Sequence, residues 1–348
     1  MNDISENLDL NNKKILFLAE TNFQFINCIN IAYHTKNSIC DLYINKLYSN
    51  ADDYKSNIKE TKLFRKIHTY DLNFGRIKKF FAFNFFQKYI LKILEQFDYD
   101  YVFFASRDFF SRCVLTYCKY VYKSAKIISY DEGLGSYISR MEEYTNKIEK
   151  FIIKIRYHDK ANIITDKILY KPEAYIGKAN NITIYKMPKL EEPIVKLLNK
   201  IYNYDDSMKF NSNIIYFDNY YDGKDLYKKS IIDCLISETN GSILLKKHPQ
   251  TSNGIYDYNN VYDFSQLPYE IIAANDNDID KKVLITIMSS AVWTPMLIFN
   301  KYPKIVLMYQ LFDNDVTNEA KQIIEKMVSM YPKERIEIIK SFDELHNL

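Results

Sequence analysis

The sequence predicts an α/β protein made of two Rossmann-like, doubly wound parallel sheets. Three observations carry that expectation. Short, β-branched apolar runs alternate with longer amphipathic stretches along the whole chain, the pattern of parallel strands joined by crossover helices. At 348 residues the chain is too long for one ordinary α/β domain and comfortable for two. A polar stretch carrying Pro172, Pro188 and Pro193 separates two such runs of strands.

In the first half, Ile15–Ala19, Cys40–Ile44, Tyr101–Ala105 and Lys126–Tyr130 read as strands, with Phe23–His34 and Lys78–Phe97 helical between them. In the second half the strands are Asn213–Phe217, Ser242–Leu245, Val283–Ile287 and Lys304–Met308. Tyr170–Pro193 is expected to connect an N-terminal domain, residues 1–175, to a C-terminal domain, residues 190–348. Two doubly wound domains facing each other across a cleft make the GT-B architecture. In such sheets ligands bind at the carboxyl ends of the strands, so chemistry is sought there.

Bulk composition excludes several classes. The apolar fraction of 47% is enough for a sizeable core, and 7 Gly with 8 Pro argue against disorder. With 47 Lys plus Arg against 44 Asp plus Glu, the net charge of +3 does not call for a nucleic-acid partner. The 31 tyrosines are read as coding bias before chemistry. The five cysteines (Cys28, Cys40, Cys113, Cys118 and Cys234) are odd in number and show no C-x-x-C spacing. That fits a reducing compartment and neither a zinc site nor a disulfide framework. The first residues are polar and acidic, and apolar runs are broken before a bilayer is crossed. A cytoplasmic chain without a signal peptide is expected.

Four strand ends carry candidate chemistry. Tyr130-Asp131-Glu132-Gly133-Leu134-Gly135 sets two carboxylates at the end of a strand, before a glycine turn. Neighbouring side chains of a strand point to opposite faces, so one acid faces the cleft while the other orients backbone or substrate. A positioned carboxylate is the general base that a sugar hydroxyl, a weak nucleophile, requires. An ordinary polar turn explains the same residues. Lys246-Lys247-His248-Pro249 follows the strand Ser242–Leu245. An imidazole in a basic loop suits a phosphate, and Pro249 fixes the turn that presents it; the alternative is a solvated loop. Ser289-Ser290 follows Val283–Ile287 and reads as a phosphate cradle or as plain helix capping, the routine role of serine. Glu270, at a helix start after Pro268, reads as an acceptor for both ribose hydroxyls or as a surface acid.

In this order the motifs resemble those of the bacterial sialyltransferases, closest to the lipooligosaccharide type, glycosyltransferase family 52, with kinship to the polysialyltransferases. Thr21-Asn22-Phe23-Gln24-Phe25-Ile26-Asn27 is similar to that family's T-P-x-Q-x-x-N segment, with Asn22 in place of proline. The resemblance implies an inverting, metal-independent transfer of sialic acid from CMP-sialic acid to a galactose- or sialic acid-terminated glycan of a lipooligosaccharide or capsule. It implies that Asp131 or Glu132 is the base, with Glu132, next to Gly133, favoured. His248 would neutralise the departing CMP. Lys246, Lys247, Pro249, Glu270, Ser289 and Ser290 would bind the donor, and Thr21, Gln24 and Gly133 the acceptor. No cofactor is implied, and Asp276-Asn277-Asp278 reads as a solvated loop, not a magnesium site.

Two matters stay open at this level. Arg76–Lys92 is basic and aromatic; it reads as a core-packing amphipathic helix, as a peripheral contact with the inner membrane surface, or as a homodimer interface. The competing functions are a related nucleotide-sugar transferase with a Kdo or hexose donor, and a non-catalytic glycan- or nucleotide-binding protein.

Overall fold

The computed structural model describes residues 8–48, 51–70, 98–105, 111, 114–115, 118, 125–138, 166–177, 182–205, 212–219, 225–239, 242–248, 251 and 256–345. The basic, aromatic segment 76–92, Cys113 and Pro249 lie outside them. The chain forms two compact units, Met1–Ile201 and Tyr202–Leu348. The division falls after the stretch expected to connect the domains. That stretch instead supplies a strand of the first sheet and leads into the helix that closes the first unit.

The first sheet holds β1 (Lys14–Thr21), β2 (Ile39–Tyr48), β3 (Lys66–Tyr70), β4 (Tyr101–Phe104), β5 (Lys126–Tyr130), β6 (Asp166–Leu169) and β7 (Ile184–Lys186). All pair in parallel, in the order β3-β2-β1-β4-β5-β6-β7. This is the Rossmann order with one strand added at the edge. Ile15, Leu16, Phe17, Leu18 and Ala19 are all buried, as a central strand covered on both faces requires. Phe17 stacks on Phe103 of the neighbouring β4, with ring centroids 5.3 Å apart.

Helix α1 (Asn22–Tyr33) starts directly after β1, with Thr21 as its N-cap: the Thr21 hydroxyl accepts the Gln24 N–H at 3.2 Å. Every residue from Gln24 to Ala32 is buried, so its polar members need internal partners. Asn30 donates to the Pro188 carbonyl at 2.7 Å, and Asn27 is bonded at the end of β5, as set out below. Helix α2 (Ala51–Glu60) follows β2, and α3 (Glu192–Ile201) ends the unit. Ile194, Leu198 and Ile201 form the buried stripe of α3 at helical spacing.

The second sheet holds β8 (Ile214–Phe217), β9 (Ile243–Lys246), β10 (Val261–Asp263), β11 (Val283–Thr286), β12 (Lys304–Leu307) and β13 (Ile336–Ile338). They too are parallel, in the order β10-β9-β8-β11-β12-β13. The same Rossmann order thus recurs, with its reversal between β8 and β11. Helices α4 (Asp225–Thr239), α5 (Tyr269–Asn275), α6 (Asn318–Ser329) and α7 (Phe342–Leu345) belong to this unit, with shorter helical turns between its strands. The core under α4 joins Ile231, Ile232 and Leu235 to Tyr216, Leu245, Ile285 and Val306.

All eight expected strands are present, seven of them within one or two residues of their expected ends, while β2 runs on to Tyr48 beyond the expected Ile44. Five more, β3, β6, β7, β10 and β13, were not expected. Each lies at a sheet edge or next to one, where polar residues such as Lys66, His68 and Asp166 replace the apolar run of a central strand. Cys28, Cys40, Cys118 and Cys234 are buried free thiols. No helix among the described residues is long and apolar enough to cross a membrane.

Candidate functional site

The carboxyl end of β5 runs into Asp131-Glu132-Gly133, and the two acids have different surroundings. Asp131 is fully buried. Its carboxylate accepts the Gly133 N–H at 2.9 Å, the Tyr170 N–H at 3.3 Å and the Tyr137 hydroxyl. Its own carbonyl accepts the Asn27 amide at 2.7 Å, and the carbonyl oxygen of the Asn27 side chain accepts the Tyr170 hydroxyl at 2.7 Å. Burial pushes the Asp131 carboxyl up to about 6, against the Tyr137, Gly133 and Tyr170 bonds and the Lys167 charge that favour its ionised form. Every direction around this carboxylate is occupied by protein. Asp131 is an anchor that clamps β5, β6 and α1 together.

Glu132 is half-buried, and its side chain leaves the core. Its Oε2 accepts the side-chain amide of Gln24 at 3.3 Å, while Gln24 Oε1 accepts the Glu20 N–H at 2.7 Å. The backbone holds it from the other side, because the Glu132 N–H donates to the Ser136 hydroxyl at 2.8 Å. Gly133 sits at φ 107° and ψ −159°, a region closed to residues with a Cβ. That sharp exit lets the chain turn into the short helix Leu134–Tyr137 and return Tyr137 to Asp131. Thr21, Gln24, Asp131, Glu132 and Gly133, expected together, are together. Thr21 serves as a helix cap and Gln24 as a bond to Glu132.

In the second unit, the expected residues fall around a dipeptide that the sequence analysis missed, Asp218-Asn219 at the end of β8. The buried Asp218 carboxylate accepts the His248 N–H at 3.2 Å, the Tyr256 hydroxyl at 2.8 Å and the Thr251 hydroxyl, and pairs with the buried Lys228 ammonium at 3.4 Å. Asp218 thereby holds the loop after β9. Asn219 looks the other way in the sheet: its Oδ1 accepts the Met288 N–H at 3.1 Å and lies 2.9 Å from the Thr286 hydroxyl, both on the β11 side. Because β8 lies between β9 and β11, two adjacent side chains join the His248 loop to the Ser289-Ser290 turn. An Asp-Asn pair ending an apolar strand was the available signal, matching the Asp-Glu pair that ends β5.

The His248 ring is half-buried. Burial holds its pKa below the usual imidazole value; Asp218 pulls it up and Lys228 pushes it down. Lys246 and Lys247, expected to line a donor pocket, are tied into their own loops. Lys246 Nζ donates to the Ser265 and Leu267 carbonyls at 3.0 and 2.6 Å, and burial lowers its pKa to about 8. Lys247 pairs with Asp263 at 2.6 Å. These bonds fix the segment that leads into α5 and its Glu270. The Glu270 carboxyl is buried, which raises its pKa; its own backbone N–H and the Lys246 charge act against the rise. Ser289 caps, with its hydroxyl accepting the Ala291 N–H at 3.3 Å. The turn that follows is a four-residue 3-10 helix, Ser290–Trp293. Asp276 and Asp278 are spent on neighbours: Asp276 pairs with Lys282 at 3.3 Å and accepts the Asp278 N–H at 2.9 Å, and Asp278 pairs with Lys281 at 2.7 Å.

No protein-family model matches this chain. No curated protein matches it either. Among solved structures it is similar to the UDP-GlcNAc 2-epimerase from Neisseria meningitidis bound to UDP-GlcNAc, with a TM-score of 0.53 at 11% identity over 96% of this chain and 97% of that one. It is also similar to S. aureus MnaA with UDP (0.50, 11%, 92% and 89%) and to the UDP-GlcNAc 2-epimerase from Rickettsia bellii (0.51, 13%, 91% and 87%). The fold is α/β and GT-B-like.

These likenesses correct the expectation of a sialyltransferase. The structures that this chain resembles are UDP-GlcNAc 2-epimerases, not sialyltransferases of family 52. With that family go CMP-sialic acid as donor, the galactose- or sialic acid-terminated acceptor, and the lipooligosaccharide or capsule product. The motif order misled for a physical reason. An acid-glycine turn after β5, a His loop after β9 and a serine turn after β11 mark strand ends that any enzyme of two Rossmann sheets has to fill.

Proposed function

We propose that this chain is an enzyme acting on a UDP-linked sugar, with Glu132 as the proton-transferring carboxylate. The observation that carries the proposal is the division of labour at the end of β5. Asp131 is consumed by Gly133, Tyr137 and Tyr170, whereas Glu132 leaves the core and is oriented by Gln24. A half-buried carboxylate held at a strand end is equipped to take a proton from a sugar hydroxyl or from a sugar carbon. In the second unit, His248 on its Asp218-anchored loop and the Glu270 carboxylate are the groups offered to the nucleotide in this reading. The solved structures with UDP and UDP-GlcNAc support a uridine nucleotide as carrier.

The test is direct. The full chain is incubated with UDP-GlcNAc and other UDP-hexoses in D2O, alone and with hydroxyl acceptors, and the sugar is followed by NMR. Deuterium at a ring carbon with inverted configuration identifies epimerisation, and loss of UDP to an acceptor identifies transfer. A chain that binds and alters no UDP-sugar under either condition overturns the proposal.

A further inference from the structure

We propose that Lys246 is a positioning residue for nucleotide recognition: its ammonium holds both the backbone in front of Glu270 and the charge of the Glu270 carboxylate. This rests on the reading of the chain as a UDP-sugar enzyme with Glu270 offered to the ribose of the nucleotide.

Lys246 is the last residue of β9. A buried ammonium requires internal acceptors, and these come from one short segment, the Ser265 carbonyl at 3.0 Å and the Leu267 carbonyl at 2.6 Å. The Phe264 ring centroid lies 5.6 Å from Nζ. Backbone groups fasten the same junction. The Phe264 N–H donates to the Leu245 carbonyl at 3.1 Å, and the Lys247 N–H donates to the Ser265 hydroxyl at 2.7 Å. Residues 264–267 are thus sewn to the end of β9, and Pro268 caps α5 directly after them, with Glu270 in its first turn. A neutral donor would satisfy the same two carbonyls without the desolvation that a charge carries. What the charge adds is its field on Glu270, which acts on Lys246 ahead of Asp263. Asp263 is itself answered by Lys247 at 2.6 Å.

The surroundings of Glu270 favour a proton on its carboxyl. Burial raises it, and its own N–H and the Lys246 charge oppose the rise. The adjacent Tyr269 is buried, with its hydroxyl held in the neutral form. At the far end of α5, Lys301 is engaged by the Ala273 and Asp276 carbonyls at 3.3 and 3.0 Å. Ionisation matters to the ligand: a carboxylate accepts from two hydroxyls, whereas a carboxylic acid turns one oxygen into a donor and loses the charge that strengthens the bonds.

Lys246→Gln keeps a donor for the carbonyls and removes the charge. Calorimetry on the full chain with uridine and with dideoxyuridine, which lacks the two ring hydroxyls, reads the ribose bonds as a ratio of affinities. Wild type is expected to prefer uridine by about ten- to a hundredfold at about pH 8, the scale of hydrogen bonds to a charged group. Lys246→Gln is expected to match that ratio at about pH 8 and to lose it on acidification about one pH unit earlier than wild type, a tenfold change in proton affinity. The coupling is reciprocal, so Glu270→Gln should lower the pH at which the Lys246 ammonium releases its proton, followed by lysine-labelled NMR; this measurement decides alone if Lys246→Gln does not fold. Equal loss of the ratio at every pH, or an unmoved acid limb, reduces Lys246 to a backbone strut and overturns the inference. A wild-type chain that binds UDP and shows no preference for uridine overturns the role of Glu270 and leaves the UDP-sugar reading intact. A chain that binds no uridine nucleotide overturns both.

Discussion

The side-chain amide of Gln24 lies between the two ends of the first unit's central strands: it donates to Glu132 Oε2 at 3.3 Å and accepts the Glu20 N–H at 2.7 Å. Residues 108 positions apart in the chain are thus held in one geometry. Gln24→Ala is expected to lower kcat on the UDP-sugar about tenfold, with KM nearly unchanged, because it frees the reacting carboxylate without touching the nucleotide. Gln24→Glu sets a second carboxylate against Glu132 and should move the acidic limb of the pH–rate profile upward. A parallel rise in KM in both variants would return Gln24 to direct substrate contact.

Asp131 and Glu132 are expected to fail in opposite ways. Asp131→Asn turns a donor toward Gly133, Tyr137 or Tyr170 and should cost about 1–3 kcal/mol of stability. Glu132→Gln should unfold like the wild type yet lose about 10²–10⁴-fold in turnover. Urea denaturation and turnover of both variants check this. A stable Asp131→Asn enzyme without activity would exchange the two assignments.

The Asp131 carboxyl also makes a pH prediction with a definite sign. Burial raises it to about 6 in the folded chain, above about 3.9 when unfolded, so the folded state holds the proton more tightly. Its contribution to stability is complete below about pH 4 and is lost as pH rises through about 6. The stability advantage of wild type over Asp131→Asn should therefore shrink between about pH 4 and about pH 7, as read from urea midpoints. An advantage that grows over that interval would contradict the buried, proton-retaining environment.

Lys228 and Asp218 form a buried pair at 3.4 Å, with side chains 2% and 0% exposed. Breaking such a pair from one side strands a charge in the core. Lys228→Met alone is expected to cost about 3–5 kcal/mol. Asp218→Asn added to Lys228→Met should recover part of that loss. Equilibrium unfolding of the single and double variants measures the coupling. Additive losses would mean that the pair does not act as a unit.

Metal dependence follows from where the acids are spent. With Asp276 and Asp278 engaged by Lys282 and Lys281, the Asp-x-Asp run has its charge answered from within the protein. Turnover of the UDP-sugar is expected to survive EDTA. Loss in chelator, restored by magnesium, would count against Glu132 and its neighbours as a sufficient machinery.

The central strands and the acidic end of β5 were legible in the sequence, because a strand covered on both faces leaves a continuous apolar record, whereas the Asp218-Asn219 end of β8 was not singled out. Lys126–Tyr130 was read to the residue. The outer strands leave no such record: β3, β7, β10 and β13 pair with a strand on one side only among the described residues. The motif roles were legible in part. Lys246 and Lys247 looked like ligand cations because charge and loop position suggested it, and nothing local revealed that the Ser265 and Leu267 carbonyls and the Asp263 carboxylate would meet them.

The sequence by itself determined that this chain makes two doubly wound parallel sheets and that acids, a histidine and serines end their strands. It did so because hydrophobic periodicity and turn residues are local properties of the chain. Which acid is an anchor and which is left half-buried was decided by the tertiary structure, since Tyr137 and Tyr170 must be brought to Asp131 before its carboxylate is consumed. The same holds for Asp218 and Asn219. Their partners His248 and Met288 follow β9 and β11, and only the strand order β9-β8-β11 places a single dipeptide between them.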